Sequence, residues 1–226
     1  MTTTKTPFTA KSGATVSGEI LLPAGADKAP GVVLIQEWWG LNDHIRSLAA
    51  RLADAGFVVL APDLYHGVST TDPAEAGRLM TELDGERSMD EIKGAVAFLA
   101  SHPRCSGKVG VTGFCMGGAF AFRAAANIPE LGAAVPFYGV PPAASAPYAN
   151  VKCPVLAHFA QRDEWAQVSK AEQIRSQILA AGGQMELCVY DADHAFVNDT
   201  RPEVYSPDNA KLAWERTIAF LHQHLG

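Results

Sequence analysis

The sequence predicts a doubly wound α/β fold, a mostly parallel sheet flanked by helices, and three observations predict it. Compact apolar runs alternate with helix-patterned segments along most of the chain. These runs lack the polar alternation of a half-solvated sheet and read as strands buried on both faces. One of them, Lys108-Val-Gly-Val-Thr-Gly, leads into Gly113-Phe114-Cys115-Met116-Gly117-Gly118, a strand-to-helix turn with small residues on either side of its apex.

Each element follows from local signals. Residues 15–22 alternate polar and apolar and are expected as an antiparallel edge strand. Buried strands are expected at 32–36, 57–61, 109–112, 133–138, 154–159 and 185–190. Asn42 or Asp43 caps a helix over 45–55, and Gly56 supplies a left-handed stop. Asp72-Pro73 opens a second helix, and 90–101 carries a third. A fourth, over 117–127, follows the turn. A fifth, over 164–181, ends at Gly182-Gly183, and a sixth closes the chain over 207–225. With right-handed crossovers this is one domain spanning 1–226, a size that buries a substantial core. The proline-rich stretch at 141–147 is expected as a surface loop.

Composition narrows the function. With 48% hydrophobic and 19% charged residues the chain is of ordinary globular type. A formal net charge of −6 and the lack of a Lys/Arg cluster argue against a nucleic-acid partner. No apolar run reaches membrane-spanning length, and Met1-Thr-Thr-Thr-Lys-Thr-Pro-Phe lacks the apolar core of a signal peptide. A cytoplasmic protein with no membrane partner is expected. Cys105, Cys115, Cys153 and Cys188 show no C-x-x-C and no zinc-type spacing, so free thiols are expected. With no H-E-x-x-H, EF-hand loop or P-loop, no metal and no cofactor is expected.

The turn at Cys115 has the form G-x-S-x-G with cysteine in place of serine, a nucleophile elbow. Helix start and nucleophile coincide there, so the N–H of Met116 points toward a developing oxyanion. Read alone, the turn fits a buried core cysteine about as well. A nucleophilic thiol needs a base and an orienter for it. Asp163 follows one expected strand and His194 the next, and chemistry in open α/β sheets collects at the carboxyl ends of strands. The order nucleophile, acid, histidine is the α/β-hydrolase order. A helix cap is the competing role for Asp163. Asp191 and Asp193 are nearer to His194 in sequence, but adjacency in a turn rarely lets a carboxylate face Nδ1. His158 alternates inside a strand and is expected to be packed. In Gln36-Glu37-Trp38-Trp39-Gly40, the Trp38 amide suits a second oxyanion donor. Trp38 and Trp39 suit either an apolar wall beside the nucleophile or core filling, and Glu37 is a carboxylate whose burial demands a partner.

Together, Gln36-Glu-Trp-Trp-Gly40, Ala61-Pro-Asp-Leu-Tyr65, Gly113-Phe-Cys-Met-Gly-Gly118, Asp163 and His194-Ala-Phe196 resemble the dienelactone hydrolase (carboxymethylenebutenolidase) family. The resemblance runs over nearly the whole chain. It implies an α/β-hydrolase fold without a large cap domain, and a Cys115–His194–Asp163 triad acting on a small-molecule ester or lactone. It also implies that Glu37 pairs with the thiol at rest. Members that act on dienelactone hold its carboxylate with arginines, one of them four residues after the histidine. Here that position is Asn198, with Arg201 three residues beyond, while Arg78 and Arg87 are candidates for a second arginine. A general carboxylesterase or thioesterase on neutral substrates is the alternative within hydrolases. A redox-sensing thiol protein is the alternative from another class, and it leaves Asp163 and His194 unexplained. Monomer and homodimer stand equally open.

Overall fold

A mostly parallel eight-stranded sheet orders its strands β1-β2-β4-β3-β5-β6-β7-β8. The computed structural model describes residues 3–25, 27–142 and 145–226. The chain divides into two compact units, Met1–Gly110 and Val111–Gly226.

In the first unit, β1 (Thr4–Thr9) and β2 (Thr15–Leu21) form an antiparallel hairpin that sets Thr4 opposite Ile20 and Thr9 opposite Thr15. β2 is also antiparallel to β4 (Val58–Pro62), and β3 (Ala29–Ile35) pairs parallel with β4. So β2 is not the edge strand its alternation suggests. The edge is β1, a mostly exposed strand in which only Phe8 is buried and which carries no apolar run to reveal it. From Val32 to Ile35, β3 is wholly buried, as its unbroken apolar pattern requires.

Helix α1 (Asp43–Asp54) starts where Asn42 Oδ1 accepts from the Ile45 amide at 3.1 Å, and it buries Ile45, Leu48 and Leu52 along one stripe. The chain leaves it through Gly56 at φ 97°. Asp72 caps α2 (Pro73–Glu82) and Asp84 caps α3 (Gly85–Ser101). α3 begins at Gly85, earlier than residue 90, because Asp84 Oδ1 accepts the amides of Glu86 and Arg87 at 3.0 and 3.1 Å. β5 (Cys105–Phe114) carries the chain into the second unit.

In the second unit, β6 (Ala133–Phe137), β7 (Val155–Ala160) and β8 (Met185–Tyr190) are successive parallel neighbours. β8 lies at the sheet edge, so it alternates buried and exposed rather than being buried on both faces. Helix α4 (Met116–Asn127) packs on β6, α5 (Val168–Ala180) on β7 and β8, and α6 (Pro207–Leu225) on β6 and β7. α5 starts at Val168, not 164, and Asp163 is spent elsewhere. In the expected 141–147 loop, Pro141 and Ala146 are buried, and Ala143 and Ala144 lie outside the described residues. Among the described residues no helix is long and apolar enough to cross a membrane. All four cysteines are free.

A polar chain ties β7, β8 and α6 together. Thr217 donates its hydroxyl to Ala213 O at 2.8 Å, so toward His158 Nε2, 3.0 Å away, it must accept. The Nε2–H tautomer follows, and Nδ1 accepts from the Tyr190 hydroxyl at 2.8 Å, which in turn accepts from Arg216 at 3.2 Å. Burial, then the charge of Arg216, pushes the His158 pKa down to about 3. With the folded value depressed below the ordinary 6.5, His158 favours the fold fully above about pH 6.5 and loses that contribution as pH falls through about 3. Thr217→Val, which leaves Nε2–H unpaired, should cost about 1–3 kcal/mol by chemical denaturation. In His158→Gln the drop in Tm between pH 7 and 4 should be smaller than in the wild type. An equal drop would show that His158 does not titrate on unfolding.

Candidate active site

The turn from β5 into α4 is set by backbone contact. A Cβ at Gly113 would lie 2.2 Å from Gly117 O, and one at Gly118 would lie 2.2 Å from Phe137 O. Only hydrogen fits at either position. The apex residue, Cys115, is held at φ 56°, ψ −115°, a conformation an L-residue rarely adopts, and its N–H donates to Phe137 O at 3.1 Å. Among the described residues, four that are not glycine have positive φ: His66, Cys115, Tyr138 and Ala195. Three belong to this unit and surround one ring, because Tyr138 packs edge-on against His194 at 5.1 Å and Ala195 follows it directly. Such strain persists only where packing holds it, and it clusters at sites of function.

His194 Nδ1 lies 2.5 Å from Asp163 Oδ2. The other oxygen of Asp163 accepts the amides of Trp165 and Ala166, both at 2.9 Å. Asp163 therefore caps its own turn and orients the imidazole at once, which reconciles the two roles its position suggests. Burial opposes its charge, but the hydrogen bond and charge of His194 and the two amides hold its pKa below the ordinary value. Nε2 of His194 is buried without a conventional hydrogen-bond partner, and the Cys115 thiol is the further group that acts on the ring. Burial again opposes charge, yet the hydrogen bonds of Asp163 and Cys115, with their charges, raise the His194 pKa to about 10. The half-buried thiol, the imidazole and the carboxylate thus act on one another in sequence.

The remaining residues singled out in the sequence fall as follows. Met116 is the first residue of α4, at the positive end of the helix dipole. Glu37 is buried just past β3, with Trp38 and Trp39 half-buried and packed edge-on at 4.8 Å. Arg78 is exposed and ion-paired with Glu75 and Glu82 of its own helix. Arg87 reaches one turn along its own helix to the buried Glu91 at 3.0 Å. Asn198 is buried, its Oδ1 accepting from the amide and hydroxyl of Thr200 at 3.1 and 2.7 Å. Arg201 pairs with Glu203 at 2.8 Å.

The unit belongs to a chain with recognisable relatives. A model of the dienelactone hydrolase family matches residues 16–225. The chain belongs to that family. Its relatives include Protein usf of Aquifex pyrophilus, 38% identical over 225 residues that span 95% of this chain and 96% of the relative. The carboxymethylenebutenolidase of a Pseudomonas species is 33% identical over 222 residues, covering 94% and 92% of the two chains. A crystallised dienelactone hydrolase-like promiscuous phosphotriesterase from metagenomic libraries superposes with a TM-score of 0.85, over 100% of this chain and 99% of the other. At 24% identity that likeness speaks for the α/β-hydrolase fold alone. At the level the family carries, the protein is a hydrolase of ester or lactone bonds.

Two site features of this dienelactone hydrolase relative were missed in the sequence. Trp165, 68% exposed, packs edge-on against the His194 ring at 5.3 Å. Tyr138 does so from the buried side. The only sequence signal for Trp165 is its place two residues after Asp163, and Tyr138 reads as the end of a buried strand. Among the described residues, no cluster of His, Cys, Asp and Glu is gathered as a metal-ligand set.

The raised His194 pKa has a sign. Its contribution to stability is full below about pH 6.5 and is lost as pH rises through about 10. Titration of the His194 ring by NMR should show an apparent pKa well above 6.5 in the wild type and a lower one in Asp163→Asn. An unchanged titration in the variant would mean that Asp163 does not govern the ring.

Proposed function

We propose that the protein hydrolyses a small-molecule ester or lactone by nucleophilic catalysis, with Cys115 as nucleophile, His194 as acid and base, and Asp163 as orienter of the imidazole. What supports this reading is a half-buried imidazole hydrogen-bonded to the Asp163 carboxylate and acted on by a thiol at the apex of a strained elbow.

The chemistry follows from the charges. The imidazolium of His194 stabilises the Cys115 thiolate, which attacks the carbonyl carbon. The tetrahedral oxyanion develops at the N-terminus of α4, where the Met116 amide and the helix dipole favour negative charge. Collapse expels the alkoxide, which takes the proton of His194 and leaves a thioester on Cys115; a lactone's alcohol remains tethered to the acyl group. Acylation also removes the anionic sulfur that helps to raise the His194 pKa. The imidazole then becomes a better proton donor in its charged form and a free base once that proton is gone. It takes a proton from water, hydroxide attacks the thioester, and the acid departs with the thiol restored.

Neutral substrates suit the site better than carboxylated ones. Asn198 brings no charge and no bidentate fork to a carboxylate, and Arg201 is paired with Glu203. Trp165 instead offers an exposed aromatic face beside the imidazole, suited to apolar acyl or aryl groups.

Replacing Cys115 by Ala should lower kcat at least about a thousandfold. Mass spectrometry on a slowly turned-over ester should find the acyl group on the Cys115 peptide. Full activity in the variant would rule the mechanism out. For range, kcat/KM for a neutral aryl ester should match or exceed that for a carboxylated dienelactone. Asn198→Arg should improve the carboxylated substrate by about ten- to a hundredfold. A wild-type preference for the carboxylated lactone would overturn the assignment of range.

A further inference from the structure

Asp163 and His194 each stand next to a residue of opposite charge to their own role. Arg162 precedes the acid and Asp193 precedes the histidine. These neighbours face each other. Arg162 Nε lies 3.1 Å from Asp193 Oδ1 and its Nη2 lies 3.2 Å from Oδ2, a bidentate fork, while its Nη1 reaches Asp191 Oδ1. The same two loops are joined through the main chain, where Gln161 N–H donates to Tyr190 O at 2.8 Å and Arg162 N–H donates to Ala192 O at 3.1 Å. Two charge pairs therefore span the loops after β7 and β8: Asp163–His194 inside, and Arg162 with Asp191 and Asp193 outside.

We infer that Arg162 is a positioning residue for catalysis: by forking across Asp191 and Asp193 it locks the β8 loop against the β7 loop and fixes His194 at its distance from Asp163. The inference rests on the Cys115–His194–Asp163 reading. Like any surface ion pair, the fork is a weak source of stability, and its proposed work lies elsewhere. The groups are substantially exposed, Arg162 at 51% and Asp193 at 48%, so the pairing adds little to global stability. Its work is local, because one guanidinium neutralises two carboxylates one residue apart. Without it, Asp191 and Asp193 repel each other and the acidic loop relaxes away from the equally anionic Asp163. The bidentate geometry also fixes the angle between the loops, which a flexible single contact does not. A displacement well below 1 Å at His194 is enough to matter, since misplacement on that scale costs large factors in rate.

The test uses the full chain, a neutral aryl ester and proton NMR. Arg162→Ala should lower kcat about tenfold with KM within about twofold, and Arg162→Lys should recover most of the loss. Asp193→Asn, which weakens the fork but leaves the Asp191 contact, should cost less than Arg162→Ala, and the double variant should be no worse than Arg162→Ala, because loss of the arginine already removes both contacts. Arg175→Ala, which breaks an ion pair with Glu172 on α5, should leave kcat unchanged. The low-field resonance of the His194 Nδ1 proton should be sharp in wild type and Arg162→Lys and broadened in Arg162→Ala. An unaltered resonance in Arg162→Ala, or kcat losses that multiply in the double variant, would overturn the inference. The NMR readout needs no turnover. Full activity in Cys115→Ala therefore defeats the catalytic reading alone, while an unaltered resonance defeats the clamp alone.

Discussion

Backbone contact at the turn between β5 and α4 is the constraint on which the site depends. Glycine at positions 113 and 118 lets strand and helix approach to a distance that no Cβ tolerates. Gly139 extends the contact from the end of β6, since a Cβ there would meet Cys115 O at 2.2 Å and Ala119 N at 2.3 Å. The approach forces the apex to positive φ, a strain of order 1–3 kcal/mol that must be offset by surrounding packing. That packing is present: Phe114, Phe120, Phe122 and Phe137 are all buried around the elbow, and Phe114 stacks on Phe137 at 4.5 Å. The result is a thiol held half-buried at the head of a helix while its chain neighbours are fixed in the core.

The register of the sheet does the second half of the placement. β7 and β8 run parallel with Val155 opposite Met185 and Ala160 opposite Tyr190, so both strands end at the same level. Asp163 emerges three residues past Ala160 and His194 four residues past Tyr190. Equal strand ends followed by nearly equal spacings bring the carboxylate and the imidazole together without a long side chain to bridge them. The charged fork of Arg162 acts on loops that the sheet has already aligned.

Much of this was legible in the residues, and the parts that were not share physical causes. Buried strands and cap residues are written in short apolar runs and in Asn42, Asp72 and Gly56, so most elements stand where the sequence puts them. The first strand is exposed and polar, and periodicity has nothing to read there. The edge position of β8 depends on strand order, which no single segment encodes. The meeting of Asp163 with His194, and of His194 with Cys115, was legible because chain order and strand ends constrain where these residues lie. Arg162 and Trp165 were not, since an arginine or a tryptophan in a loop has many uses until its neighbours are known. Asp191 and Asp193, set aside for the histidine, turn out to have Arg162 as their partner.

Two histidines in this unit, His158 buried and His194 half-buried, show how partner charge sets the protonation of a ring. His158 is surrounded by hydroxyl groups that it can satisfy only as a neutral ring, with the cation of Arg216 one hydroxyl away, and its pKa falls to about 3. His194 faces a carboxylate and a thiol, and its pKa rises to about 10. Burial opposes charge in both, so the difference lies in the partners and not in the solvent. Their linkages to folding have opposite signs. His158 favours the fold above about pH 6.5, and His194 favours it below that value. The neutral ring serves as a fixed strut between β7, β8 and α6, while the charged ring stands just past the end of β8 with a carboxylate and a thiol as its partners.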